Sequence, residues 1–430
     1  MSPFQSKTNE VGAPRRLVTN VVALYFLQGL NYIIPMATLP YLVRVLGIQT
    51  FGMIAFTQSF AGYFVVLTDY GFNFSATRYT AQNRLDLRKI SDMFWRVLII
   101  KSLLMLAGVI LLALILFTIP RFRSQTPYFI IAYIAVIGGV LFPQWYFQGL
   151  EKMTHISVMT GAARLITSVL LFVFVHSPDD ALRALALLSG GPLIAGMIGM
   201  FVAVRELHPG FVWPSNSELW ETTVDGWHLF ISTAAISLYT NTNVFLVGLI
   251  AGEAQAGYFS AAEKLIRAIS GLIGPISQAF FPHVNFLARE SKQLALRFIS
   301  KTLRLTSLVT LVPSLIMLFF AAPLAHIIFG HAASGSPPII RWIALLPFLI
   351  AVSNALGIQT MLCFGLDKQF SRILIGAGLL NVVLAVPLIH LFAARGAAMS
   401  VLLVEVGVNI AMIWELERRG IHVFRKASLV

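Results

Sequence analysis

The sequence predicts an all-α polytopic membrane protein, with twelve transmembrane helices in two six-helix lobes related by a pseudo-twofold along the membrane normal. Three observations predict it. Of 430 residues, 57% are hydrophobic and only 11% charged, against about a quarter charged in soluble domains, and the mean hydropathy is +0.81. Uncharged apolar runs recur along the whole length, among them Leu17–Val43, Val45–Thr68, Ser124–Leu150, Leu305–Ile340 and Ile373–Ala394, each long enough to cross a bilayer as a helix. Two short motifs also return in the second half at similar spacing.

The runs are continuous rather than alternating, which selects helices over barrel strands. They place twelve spans at 17–43, 46–70, 91–118, 126–150, 154–176, 183–204, 226–251, 257–288, 298–325, 337–363, 371–392 and 396–414. The first run of 27 residues exceeds the roughly 7–15 of a signal-peptide core, so it is read as a span. The chain then divides into an N-tail (1–16), an N-lobe (17–204), an inter-lobe loop (205–225), a C-lobe (226–414) and a C-tail (415–430).

Orientation follows from the basic residues. The side holding both termini carries 21 Lys and Arg, the opposite side 8, and cytoplasmic loops are the basic ones. Both termini are therefore expected in the cytoplasm of a multi-pass inner-membrane protein. Trp95, Trp145, Trp227 and Trp414 fall at the expected cytoplasmic interface, as an aromatic belt would. The formal net charge of +13 has the same origin, so no nucleic-acid partner is inferred. The single cysteine, Cys363, excludes an intrachain disulfide.

The repeat rests on Gly47-Ile-Gln-Thr-Phe-Gly52 and Gly252-Glu-Ala-Gln-Ala-Gly257, offset by 205, and on Gly149-Leu150-Glu151-Lys152 and Gly365-Leu366-Asp367-Lys368, offset by 216. Six helices is an even number, so the second lobe enters from the same side as the first and the repeat is parallel.

The first lobe reads Asn31-Tyr32-Ile33-Ile34-Pro35, Leu39-Pro40-Tyr41-Leu42-Val43-Arg44-Val45-Leu46-Gly47, Phe51-Gly52, Asp69-Tyr70-Gly71-Phe72-Asn73 and Ser75-Ala76-Thr77. Trp145-Tyr146-Phe147-Gln148-Gly149 and Glu151-Lys152-Met153 follow, then Phe230-Ile231-Ser232-Thr233-Ala234-Ala235-Ile236-Ser237-Leu238-Tyr239 in the second lobe. In order and spacing this series resembles the Wzx-type O-antigen flippases of the multidrug/oligosaccharidyl-lipid/polysaccharide exporter superfamily, over nearly the whole chain. The resemblance implies two six-helix lobes around a central cavity. It implies a substrate, an oligosaccharide repeat unit on undecaprenyl pyrophosphate, moved from the cytoplasmic to the periplasmic leaflet by alternating access. It also implies a polysaccharide polymerase and a chain-length regulator as partners beside membrane lipids, and no cofactor.

Function at membrane depth falls on few residues. Pro35 and Pro40 lie within the first span, where each removes a backbone donor; they read as hinge or as static kink. Asp69 closes the second span and reads as a helix-end cap with Arg78 as its partner, or as part of a gate ion pair. Asn241, Thr242 and Asn243, with Gln28 and Asn31, must face protein or water; they suit sugar hydroxyls or helix joining. The ionisable residues at depth are Lys101, Arg164, Glu263, Lys264, Arg267 and Glu405, costly in a membrane and so functional candidates. Arg164, Lys101 and Arg267 are the candidate cavity cations for pyrophosphate. Glu263 and Arg267 are spaced to pair on one helix face. Glu405 requires a proton or a partner on another helix, and is a coupling candidate.

His155, His176, His208 and His331 lack metal-ligand spacing, and Asp179-Asp180 is a lone acidic pair, so no metal site is assigned. An ion-coupled multidrug exporter of the same superfamily is the alternative, but it favours acidic cavity residues where the charges here lean basic. A membrane enzyme would need a carboxylate cluster or a sizeable extramembrane loop, and the longest polar connection is Arg205–Asp225.

Overall fold

The structure, a computed structural model, describes residues 34–211, 213–271, 280, 284, 286–288, 290–330 and 334–423. It is all-helical. The first half holds α1 (Ile34–Leu46), α2 (Ile48–Asp69), α3 (Phe72–Gln82), α4 (Leu87–Thr118), α5 (Pro120–Arg123), α6 (Thr126–Leu141), α7 (Gln144–Gly149), α8 (Met153–Phe174) and α9 (Ala181–Leu207). The second holds α10 (Asn216–Ala251), α11 (Glu253–Ser270), α12 (Lys292–Phe319), α13 (Ala321–Phe329), α14 (Ser336–Ile343), α15 (Leu346–Leu356), a π-helical turn (Gly357–Leu362), α16 (Asp367–Phe392) and α17 (Ala394–Arg418). Among the described residues, nine segments are long and apolar enough to cross a membrane. They coincide with expected spans two to six and nine to twelve; expected span seven lies within α10, and expected spans one and eight run partly through residues outside the described set.

Local chemistry moves some boundaries. Asp86 accepts a hydrogen bond from the Lys89 amide (3.2 Å), so α4 begins at Leu87 rather than at residue 91. Ser215 and Glu218 form a reciprocal capping box, which starts α10 ten residues before the expected span. Between α6 and α7 the helix breaks at Phe142-Pro143, where proline supplies no donor. Trp145 is 2% exposed, a core residue rather than a belt residue, packed beside Phe94 and Tyr146.

Helix starts in the two halves run in parallel. Ile48 and Glu253, and likewise Leu87 and Lys292, are separated by 205 positions; Met153 and Asp367 by 214. Gly47 and Gly252 each cap the helix that follows, with nearly the same backbone angles (φ 76°, ψ 163° and φ 92°, ψ 171°). The second motif needs a correction of register. The residue matching Gly365 (φ 71°) in conformation is Glu151 (φ 60°), not Gly149. The bonds Lys152 N–H to Phe147 O and Leu366 N–H to Met361 O (both 2.8 Å) close the same turn. The spelling of the motif aligned two residues away from its geometry.

The two halves meet where α2 crosses α11. A methyl group on Gly52 would lie 1.8 Å from the Glu253 carbonyl oxygen, and one on Gly257 would lie 2.2 Å from that of Ile48. The contact is reciprocal, each glycine facing the carbonyl four residues before the other. Within a bilayer, helices gain little hydrophobic energy by pairing, so close backbone approach at small residues drives association. Phe56 stacks on Phe245 of α10 beside this crossing (5.3 Å, 3° between planes), and Tyr63 donates to Thr242 (3.0 Å).

Candidate functional site

The larger cavity described here, about 510 Å³, opens between the two halves. Its walls come from α1, α6, α8 and α9 on one side and α11 on the other. Arg164 projects from α8, a helix placed by the tight packing of its partner α9 on α6, where a methyl on Gly196 would lie 2.5 Å from Gly138 O. Lys264 and Arg267 enter from α11, three residues apart and so on one helix face. Hydroxyls of Thr38, Thr160, Thr167 and Ser168 and the amide of Gln144 share the lining. Three cations from both halves thus border one mostly apolar chamber. That arrangement suits an anionic group carried on an apolar or polyhydroxylated body: Arg offers a planar fork for phosphate oxygens, and low surrounding polarity strengthens the attraction.

Each cation is positioned. Arg267 donates to Glu263 Oε1 (2.8 Å) and to Asn241 Oδ1 (3.2 Å), so the expected Glu263 pairing forms while the guanidinium still borders the cavity. Lys264 lies over the ring of Phe51, 4.9 Å from its centroid, a cation–π contact that holds the ammonium. Lys264 did not stand among the expected cavity cations; its three-residue spacing from Arg267 was the available signal.

The other expected residues sit elsewhere. Lys101 is 4% exposed and does not border this chamber. It donates to Gly139 O (2.8 Å) and lies 4.0 Å from Asp69 Oδ1, held inside the first half rather than reaching an interface. Asp69, also accepting from Asn73 (2.8 Å), has Lys101 and not Arg78 as its ionic partner. Arg78 points into a second pocket. Asn243 accepts from Asn381 (3.3 Å), and Asn381 accepts from Ser400 (3.0 Å), a buried relay joining α10, α16 and α17. Glu405, 4% exposed, accepts from Ser353 of α15 (2.7 Å), a hydrogen bond between helices. Pro35 lines the cavity and Pro40 does not. Gln28 and Asn31 lie outside the described residues.

Further contacts join the two halves on either side of the chamber. On the face assigned by the basic-residue bias to the cytoplasm, Tyr70 stacks on Phe230 (4.9 Å, 11°) and Gly71 abuts Leu229 and Phe230. On the opposite face, beyond the Gly52–Gly257 crossing, Arg121 donates to the carbonyls of Leu249 (2.6 Å) and Gly248 (2.7 Å) at the end of α10. Arg44 likewise donates to Ile327 O near the end of α13. No group of three or more potential metal ligands occurs among the described residues.

The family model described as "Polysaccharide biosynthesis protein" matches residues 17–287. A "Putative O-antigen transporter" of Escherichia coli (strain K12) is 36% identical over 394 residues, covering 92% of this chain and 95% of its own. A protein of the same description from Shigella dysenteriae is 31% identical over 399 residues, covering 92% and 98%. Among solved structures, the lipid II flippase MurJ in an inward closed conformation superposes with a TM-score of 0.73 at 11% identity, over 93% of this chain and 87% of that one. An inward-facing multidrug resistance MATE family transporter of the MOP superfamily does so with a TM-score of 0.68 at 15% identity, over 92% and 96%. At such identities the structural likeness concerns the fold.

Proposed function

Because the chain belongs to the polysaccharide biosynthesis protein family, among relatives described as O-antigen transporters, we propose that it is a flippase and not an enzyme. It carries undecaprenyl-pyrophosphate-linked oligosaccharide repeat units from the cytoplasmic to the periplasmic leaflet. The observation that carries this reading is the convergence of Arg164, Lys264 and Arg267 on one cavity between the halves. A pyrophosphate diester brings about two negative charges into a poorly polar passage, and it requires compensating cations there. Because those cations come from both halves, bound substrate draws the halves together, and release lets them part toward the other face.

The mechanism is alternating access by two six-helix lobes. The parallel helix starts and the reciprocal Gly52–Gly257 contact support a pseudo-twofold along the membrane normal, and the bias of basic residues supports both termini in the cytoplasm. The Tyr70–Phe230 stack serves as the cytoplasmic closure and the Gly52–Gly257 crossing as the periplasmic one. The polymerase and chain-length regulator act on the product at the periplasmic leaflet. The decisive experiment is deletion: lipid-linked repeat units should accumulate on the cytoplasmic leaflet, and the gene supplied in trans should restore them to the periplasmic one. Normal export in the deletion strain would overturn the reading.

A further inference from the structure

A second pocket, about 310 Å³, lies between α3, α4 and the first turns of α10. Its composition differs from that of the central chamber. Ser75, Arg78, Tyr79 and Gln82 recur on one stripe of α3, and Glu221, Thr222 and Asp225 on one stripe of α10. Two polar helix faces are thus turned toward each other across open space. Among the described residues, the exposed side chains of Arg78, Glu221 and Asp225 make no hydrogen bond or ion pair. Arg96, on the same wall, is already engaged by Glu218.

The arrangement narrows the ligand. A pocket whose charges served only to latch α3 to α10 would bring them into contact, whereas these stand around a volume large enough for sugar residues. Two carboxylates disfavour a phosphate, and the charged rim disfavours an apolar guest. A ligand with many hydroxyls satisfies both sets of groups: Arg78 and Gln82 donate, Glu221 and Asp225 accept, and the Tyr79 ring and Met93 offer apolar surface to a pyranose face. The pocket's place in the fold agrees. It sits on the face assigned to the cytoplasm, and α3 rests directly on α7, with Thr77 donating to Trp145 O (3.3 Å). Gln144, the first residue of α7, borders the central chamber, so one short helix separates the two spaces.

We propose that this pocket is a sugar-binding subsite at the cytoplasmic entrance, which holds part of the oligosaccharide while the pyrophosphate engages the central cations. The proposal rests on the reading of the protein as a carrier of lipid-linked oligosaccharide. It makes recognition of the sugar separable from recognition of the phosphate, because different residues perform them.

The test uses the full-length protein in lipid nanodiscs and two soluble probes. One is the lipid-free repeat-unit oligosaccharide, released by mild acid from the intermediates that accumulate in a transporter-deletion strain; the other is inorganic pyrophosphate. Titration calorimetry should detect both. The Glu221→Gln/Asp225→Asn double variant should bind the oligosaccharide about tenfold or more weakly, from the loss of charged acceptors, and bind pyrophosphate as before. Retained pyrophosphate binding shows that the variant is folded. Arg164→Ala should do the reverse. Undetectable oligosaccharide binding to the unmodified protein, or unchanged binding in the double variant, overturns the subsite and leaves the proposed function intact. Loss of pyrophosphate binding in the unmodified protein strikes instead at the central cavity's role.

Discussion

Gly52 and Gly257 lie backbone against backbone: a methyl on Gly52 would stand 2.7 Å from Gly257 N, and one on Gly257 would stand 3.2 Å from Gly52 Cα. The atoms in the way are main-chain atoms of two packed helices, which cannot step aside as a flexible side chain does. Gly52→Ala should therefore pry α2 from α11, at a cost of about 1–3 kcal/mol to the closed arrangement. The readout is access to the chamber from the periplasmic side. With Thr38→Cys in a Cys363→Ala background, an impermeant thiol reagent added from that side should react faster when Gly52→Ala is present. Unchanged reactivity would show that the crossing does not close that face.

The central cations should not be interchangeable. Arg164→Ala should abolish surface polysaccharide at unchanged protein abundance, and Arg164→Lys should restore part of it, since an ammonium lacks the bidentate fork. Hydrogen bonds to charged groups contribute about 1.5–3 kcal/mol each, so pyrophosphate affinity should fall roughly ten- to a hundredfold for Arg164→Ala. Lys264→Ala should weaken binding too. Wild-type surface polysaccharide in Arg164→Ala would remove that residue from the site.

The Asp69–Lys101 pair is a different kind of charge, enclosed within the first half. Removing one partner leaves the other buried and uncompensated, a loss of about 3–5 kcal/mol. Lys101→Met should lower the thermal unfolding midpoint in detergent strongly, and Asp69→Asn/Lys101→Met should recover most of the loss. Simple additivity of the two substitutions would mean the residues are not coupled.

Acid should loosen the start of α10. Hydrogen bonds from the Ser215 amide and hydroxyl, with the charge of Arg96, hold the Glu218 carboxyl below its ordinary value of 4.5. A carboxylate with a depressed folded pKa stabilises the folded state above its unfolded value, and that stabilisation disappears as the pH falls through the folded one. Amide exchange at residues 215–219, corrected for intrinsic rates, should therefore lose protection below about pH 4.5. Glu218→Gln should be less protected at neutral pH and should lack this transition.

Export should respond to voltage. Moving an elementary charge across the membrane is worth about 2.3 kcal/mol per 100 mV, so a pyrophosphate with about two charges gains roughly 4–5 kcal/mol on leaving a negative interior. In proteoliposomes, flipping should speed up when the loading side is made negative. Indifference to an imposed potential would indicate electroneutral exchange.

The sequence disclosed position along the membrane normal better than direction around a helix. Arg164 and Arg267 could be chosen because charge at depth is costly, and both border the chamber. By the same criterion Lys101 and Glu405 looked equal to them, yet one turns to Asp69 and the other to Ser353, since burial inside a lobe satisfies the same energetic demand. Lys264 was obscured by the conspicuous Glu263–Arg267 spacing. The polar pocket between α3 and α10 left little trace, because its residues lie in stretches that read as solvated loops and helix ends. Ser215-Asn216-Ser217-Glu218 was legible as a capping box and would have started α10 correctly. The repeat was found by its glycines, but the second motif was set two residues out of register, because Glu151 holds a backbone conformation that glycine holds at residue 365.

The reciprocal contact at the α2–α11 crossing has the form of an interface between identical subunits, in which one patch meets itself through a twofold axis. Each half presents to the other what a half-length ancestor would have presented to its own copy. If each half crosses the membrane six times, as proposed above, both copies of such an ancestor would have inserted in one orientation, and joining them would have required only a connecting loop and no reversal of topology. The halves are unequal at the cavity: one contributes Arg164 while the other contributes Lys264 and Arg267. A symmetric ancestor would have been confined to matched pairs of cations, whereas the single chain can fit an asymmetric substrate, with a lipid at one end and a sugar at the other.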